Sequence, residues 1–168
     1  MRQESKEVLQ QHNALKSRYQ SGPTYIAQTN AVLADARKQK YKALFIRHID
    51  PDSKDSFAEG SENSKFLPGI HKKETDVEII KYRIGSFYKT TLQEELEGVD
   101  EVVICGMLTN LCVRSLIEDA YDRNFAIAVI KDCCVALDKE TQDFTFNDLK
   151  STREEIAFMS SEEYLQSR

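Results

Sequence analysis

Five short apolar runs punctuate an otherwise polar chain: KALFI (Lys42 to Ile46), VEIIKY (Val77 to Tyr82), EVVIC (Glu101 to Cys105), FAIAVIKD (Phe125 to Asp132) and EEIAFMS (Glu154 to Ser160). Each has the length and β-branched content of a buried strand. Between them the rhythm changes. In YIAQTNAVLADARKQK (Tyr25 to Lys40) the apolar positions Ile26, Ala27, Val32, Leu33 and Ala36 follow helical spacing. SFYKTTLQEELEG opens on a possible Ser cap and stops at a glycine, which predicts a helix over Ser86 to Gly98. Further helices are expected over Cys112 to Asn124, over Lys139 to Ser151 and in a short tail. The segment from Asp50 to Lys73 is polar and holds Pro51, Gly60, Pro68 and Gly69, so it reads as a long irregular loop of the kind that often carries function. Strands alternating with helices predict a parallel sheet covered on both faces.

Composition narrows the classes. The 168 residues suit one domain with one core, and 40% hydrophobic with 30% charged content is ordinary for a soluble globular domain. The formal net charge is -5 and no Lys/Arg stripe forms, so neither nucleic acid nor a membrane is an expected partner. No apolar run reaches transmembrane length. The opening MRQESKEVLQQHN lacks the apolar centre of a signal peptide, so a cytoplasmic location is expected.

The candidate chemistry centres on GMLTNLCV (Gly106 to Val113), where a strand gives way to a helix. Parallel sheets bind ligands beyond the carboxyl ends of their strands. Cys112 stands there, at a helix start whose unpaired N–H groups and dipole favour a thiolate. It is either a nucleophile or a small core residue. Lys81 closes the strand VEIIKY and is either solvent-facing or a pocket cation that would support such a thiolate. The other cysteines (Cys105, Cys133 and Cys134) form no CxxC pair, and His12, His48 and His71 are scattered. Neither a disulfide framework nor structural zinc is expected. Cys133 and Cys134 follow the end of the fourth strand and read as packing residues; His12 and His71 read as solvated.

GMLTNLCVRSLIEDAYDRNFAIAVIKDCCVAL resembles the signature segment of the isochorismatase-like cysteine hydrolases, a superfamily that includes nicotinamidases, N-carbamoyl amidases and isochorismatases. The likeness runs through Gly106, Thr109, Asn110, Cys112, Val113, Asp119 and Ala120. Upstream, IIKYRIGSFYKTTLQEEL resembles the family's Lys-x-Arg-x-x-Ser-Phe segment at Lys81, Arg83, Ser86, Phe87 and Thr91. The segments ADARK with ALFIRH, and EEIAFMSSEEYL, extend the resemblance over roughly residues 25 to 165. It implies a Rossmann-like three-layer α/β sandwich with a mainly parallel central sheet, in a single domain over 1–168 with residues 1–24 atypical. It implies Cys112 as the nucleophile on an amide-type carbonyl, with Lys81 supporting charge. It also implies a cis peptide between Met107 and Leu108, an oxyanion site at the N–H groups of Leu108 and Cys112, and a substrate pocket near Phe87, Thr109 and Asn110. Family members assemble as dimers or larger oligomers, so a homo-oligomer acting on a small-molecule substrate is expected.

Two departures stand out. The family's third catalytic residue is an Asp at the end of its first strand. Aligning VLQQHNAL with that strand end puts Gln10 at the Asp position, and an amide cannot serve as a general base. The first strand is therefore degenerate or missing. Either it lies upstream of this chain, or the chemistry is lost or changed, or another acid such as Asp50 serves. A non-catalytic binding protein and a vinyl-ether hydrolase are the rival readings; the second would depend on the doubtful Asp. The second departure is in RHIDPDSKDSFAEG, which resembles the metal loop of nicotinamidases. His48, Asp50 and Lys54 occupy its ligand positions, and a protonated Lys54 is a poor ligand. No metal and no cofactor are expected.

Overall fold

The computed structural model describes residues 23–54 and 57–167. Two parallel ladders organise them. The first pairs β1 (Leu44–His48) with β2 (Val77–Lys81), from Leu44 opposite Val77 to His48 opposite Lys81. The second runs in the order β3 (Glu101–Met107), β4 (Ala126–Val135), β5 (Ala157–Met159). Its central strand, β4, is also the most buried, as expected for a strand covered on both faces.

Alternation along β3 and β4 sorts side chains between two helical layers. Ile104, Ile127, Val129 and Cys134 face one way, against Ile117 and Ala120 of α3 (Arg114–Tyr121) and Phe146 and Leu149 of α4 (Lys139–Thr152). Val103, Cys105, Ile130 and Cys133 face the other way, against Val32 of α1 (Pro23–Lys38) and Tyr164 of α5 (Ser161–Gln166). The result is an α/β three-layer sandwich of Rossmann-like type. A third cluster, around Ile79, Leu92 and Leu96, reaches Leu44, Ile46, Val102 and Leu116, so the two ladders share one core. Gln10, with the expected degenerate or missing first strand, lies outside the described residues.

Three boundaries differ from the sequence expectation, each for a local reason. The helix expected over Ser86 to Gly98 is only α2 (Leu92–Glu95). Lys89 takes a positive φ of 53°, and the Thr90 hydroxyl donates to Ser86 O while accepting from Leu92 N. A threonine side chain thus takes the backbone partners that a helix would need. The strand expected to stop at Asp132 continues to Val135, so Cys133 and Cys134 lie within it rather than beyond it. It continues across an irregularity: the register passes from Ile104 opposite Val129 to Gly106 opposite Cys134. The displaced Asp132 carboxylate accepts from both Ser161 N and Ser161 Oγ, which fastens α5 to β4. Finally, the helix expected from Cys112 begins as a π-turn over Thr109–Val113 and becomes α-helical only at Arg114.

Helix ends are satisfied locally. Asp138 accepts from Thr141 N at the start of α4, and Ser160 and Glu163 form a reciprocal capping box at the start of α5. The long loop is irregular apart from one short turn at Glu62–Ser64, and Asn30 and Arg37 of α1 hold it through Gly69 O, His71 and Asp76.

Leu149 is fully buried between α4 and the sheet, whereas Phe144 on the same helix is 66% exposed. Leu149→Ala is expected to lower unfolding stability by about 2–5 kcal/mol in urea titration. Phe144→Ala should stay within about 0.5 kcal/mol of the parent. Equal effects would contradict the assigned faces of α4.

Candidate active site

The carboxyl end of β3 sets the geometry. Gly106, at φ 148°, and Met107 are held in register with Cys134 and Val135 of β4, and the Met107–Leu108 peptide is cis. The chain then winds into the π-turn, whose Leu108 carbonyl accepts from both Leu111 N and Val113 N at 3.1 Å. Such one-turn widenings are frequent at functional sites because they re-aim a side chain. Val113 is buried, and its Cγ2 would lie 3.6 Å from any Cβ placed at Gly106. Cys112, one residue earlier, remains half-buried.

The turn is pinned from outside by α4. Thr109, fully buried, donates its hydroxyl to Gln142 Oε1 at 2.8 Å. Gln142 Nε2 in turn donates to the Cys134 carbonyl, also at 2.8 Å. One side-chain amide therefore joins the turn to the end of β4. Arg114, just after the turn, bridges Glu118 within α3 and Asp148 on α4. Asn110 Oδ1 is buried with no hydrogen-bond partner among the described residues.

Lys81 is 3% exposed, so of the two sequence readings the solvent-facing one does not hold. Its ammonium donates to the Ile84 carbonyl, which curls the following loop back over the end of β2. That loop meets the helix carrying the cysteine turn: a Cβ at Gly85 would sit 3.5 Å from Asp119 Oδ2 and 3.6 Å from Ser115 Oγ. Ser115 lies one helical turn beyond Cys112, so the Lys81 loop and the Cys112 turn adjoin. Arg123, in the turn just past α3, secures the same junction by bonding Gln93 and lying 4.1 Å over the Phe87 ring. Phe87 packs on the Ile79, Leu92 and Leu96 cluster.

The remaining cysteines sit in a different chemical setting. Cys134 is buried and its thiol is pushed up to about 12 by desolvation. Cys105 donates to Cys133, and that hydrogen bond, followed by burial, holds it protonated. The same bond lowers the Cys133 thiol, which is fully buried. Buried, protonated thiols such as Cys105 and Cys134 are inert. In the long loop, Asp50 caps its own turn by accepting from Asp52 N, and Lys54 is exposed. Among the described residues no three His, Cys, Asp or Glu side chains gather as metal ligands, and no helix is long and apolar enough to cross a membrane.

Sequence reasoning missed Gln142, Arg123 and the setting of His48. Gln142 and Arg123 look like ordinary helix-surface residues, and only the packing of helices against the turn reveals their partners. The position of His48 depends on strand register, where it stands opposite Lys81.

This fold and turn define a class: a parallel α/β sandwich with a half-buried cysteine in the turn after one strand and a buried lysine at the end of another. Residues 11–162 match the isochorismatase domain family, and the chain belongs to it. It is 30% identical to Nicotinamidase 3 of Arabidopsis thaliana over 99 residues, 56% of this chain and 50% of that one. It is similar in fold to an isochorismatase-like hydrolase from Alkaliphilus metalliredigens (TM-score 0.76, 24% identity, 86% and 83% of the two chains). A further structural relative is the N-carbamoylsarcosine amidase of Thermoplasma acidophilum (TM-score 0.71, 22% identity, 82% and 83%). The chain spans about half the length of most curated relatives it matches.

Replacing Thr109 with Val leaves Gln142 Oε1 without its donor in a buried setting. The expected cost is about 1–3 kcal/mol by chemical denaturation, with Thr109→Ser retaining most of the stability. A larger loss in Thr109→Ser than in Thr109→Val would mean that the methyl group, not the hydroxyl, holds the turn.

Proposed function

We propose that this protein is a cysteine hydrolase that cleaves a C–N amide-type bond of a small molecule through a thioester on Cys112. The observation that carries the reading is the contrast among the cysteines. Two of the other three are fully buried, and the third is tied into a hydrogen-bonded thiol pair. Cys112 stands half-buried in a pinned turn at the carboxyl end of a parallel strand, whereas Cys105, equally half-buried, lies within β3.

In this reading the Cys112 thiolate attacks the substrate carbonyl carbon and Lys81 steadies the negative charge. The backbone N–H groups of Leu108 and Cys112 receive the developing oxyanion. Loss of one such donor typically costs about 100-fold or more in rate. Asn110 borders the substrate, and its orphaned Oδ1 is an acceptor suited to an amide N–H, while the fully buried Thr109 holds the turn beneath it. The amide-cleaving names of two relatives, a nicotinamidase and a carbamoylsarcosine amidase, support a C–N bond as the target.

Homo-oligomerisation and a cytoplasmic location belong to the same reading. Tyr82, Ile84, Tyr88, Met107 and Leu111 are exposed large apolar side chains flanking Lys81 and Cys112, a rim that a second copy would cover. The alternative is a non-catalytic binding protein that keeps the pocket. It is favoured by the alignment that puts the amide of Gln10 at the family's acid position and by a "probable inactive" nicotinamidase of Arabidopsis thaliana among the relatives.

A panel of small primary amides and N-carbamoyl compounds, assayed for ammonia release, tests this directly. At least one should turn over, and Cys112→Ala should reduce that rate by about a thousandfold or more. Turnover that survives Cys112→Ala would refute the mechanism. Binding of panel members without any turnover would favour the binding protein.

A further inference from the structure

Gln142 is half-buried in the first turn of α4, which the Asp138 cap holds in place. Its side-chain amide spends both ends on one end of the sheet. Nε2 donates to the Cys134 carbonyl at 2.8 Å and lies 3.5 Å or less from a second, Lys131 O, at 3.4 Å. Oε1 accepts the Thr109 hydroxyl at 2.8 Å. Carbonyls only accept, so the two ends of the amide cannot be exchanged. The two carbonyls straddle the irregularity of β4, where Ile130 to Cys133 stand against Cys105 alone.

These bonds close a ring. Gly106 is in register with Cys134, Cys134 is bonded to Gln142, and Gln142 to Thr109, from which the chain leads back to Gly106. Inside the ring is the Leu108 carbonyl, which accepts from Leu111 N and Val113 N, the residues on either side of Cys112. The backbone that carries the cysteine is thus held through the same carbonyl that the ring fixes. Helix α4 has other ties: Phe146 and Leu149 lie in the core and Asp148 bonds Arg114. Holding the helix does not require Gln142, whose side-chain bonds all serve the turn and the irregularity of β4.

We propose that Gln142 is a positioning residue for Cys112, an assignment that rests on the cysteine-hydrolase reading above. Gln142 acts only through Thr109 and β4, and fixes the turn in the arrangement from which the Cys112 thiol reacts. Misplacing a reacting group by about 1 Å can cost about 100-fold in rate. Without the amide, Thr109 loses its acceptor and the Cys134 carbonyl loses its donor, so the turn is no longer tied to the strand beside it. A glutamate at this position separates the bonds by pH. Its protonated carboxyl has one donor and one acceptor and can make both bonds; its carboxylate only accepts and cannot serve the Cys134 carbonyl.

The test measures how fast Cys112 in the full chain exchanges with dipyridyl disulfide, read on the Cys112 peptide by mass spectrometry. The thiolate attacks one sulfur of the reagent, its S–S bond breaks, pyridinethiol leaves, and a new S–S bond marks the peptide. Thermal melting selects a temperature at which every variant is folded. Gln142→Leu and Thr109→Val should each slow Cys112 by about tenfold or more. The double variant should be no slower than the slower single one, because both break the same link. Leu149→Ala, which loosens the same helix without touching the amide, should stay within about threefold of wild type. Gln142→Glu should be slow at about pH 8, and its rate relative to wild type should climb back as the pH falls to about 4.5 and the carboxyl takes up a proton. Gln142→Leu should show no such recovery. The recovery is read within one protein, so it does not depend on Gln142→Leu folding. Rates within about twofold of wild type in both Gln142→Leu and Thr109→Val overturn the assignment and leave the nucleophile standing. Equal slowing by Leu149→Ala overturns it as well, because loosening of α4 is then the cause. If wild-type Cys112 exchanges no faster in the folded chain than in urea, the cysteine-hydrolase reading fails and this proposal fails with it.

Discussion

The structure depends on how the end of β3 is held. A parallel strand delivers its chain to the ligand-binding end of the sheet, but nothing in the ladder alone decides where the next side chain points. Here the ladder slips, resumes at Gly106 and Met107, and hands the chain to a π-turn that Gln142 bolts to β4 through Thr109. The turn therefore has buried, hydrogen-bonded contacts on its core side at Thr109 and Val113, while Cys112 and the exposed Leu111 face outward. A side chain fixed by its neighbours in this way loses little freedom when it reacts, which is the requirement for a nucleophile.

The second strand pair serves the same end of the molecule. β1 and β2 finish in register on His48 and Lys81, and the loop that follows folds back so that the Ile84 carbonyl holds Lys81. Burial of a lysine with a backbone partner is costly to arrange, and after burial itself its charge is what lowers the pKa of the neighbouring His48. The three-layer packing supports this by placing α3 against the loop, with Arg123 clamped over Phe87.

Much of this was legible in the sequence. All five apolar runs became strands and the alternation gave the parallel sandwich, because a buried run of Val and Ile has few other places to go. The motif around Cys112 marked the turn. The illegible parts were those decided by competition or by register. Ser86 looked like a helix cap until the Thr90 hydroxyl took its carbonyl, and Asp132 looked like a strand end because its tie to Ser161 is distant in sequence. Gln142 carries no local signal. His48 was read as a residue of a metal-like loop, since only the pairing of β1 with β2 shows that it faces Lys81.

The central claim is that the turn makes Cys112 an activated nucleophile. The most direct measurement is the rate of Cys112 alkylation by iodoacetamide at neutral pH, read on its peptide by mass spectrometry, in the folded chain and in the same chain unfolded in urea. The account predicts that folding accelerates alkylation of Cys112 by about tenfold or more while protecting Cys105, Cys133 and Cys134. If folding slows alkylation of Cys112 as it does the others, Cys112 is a packing residue and the account is wrong.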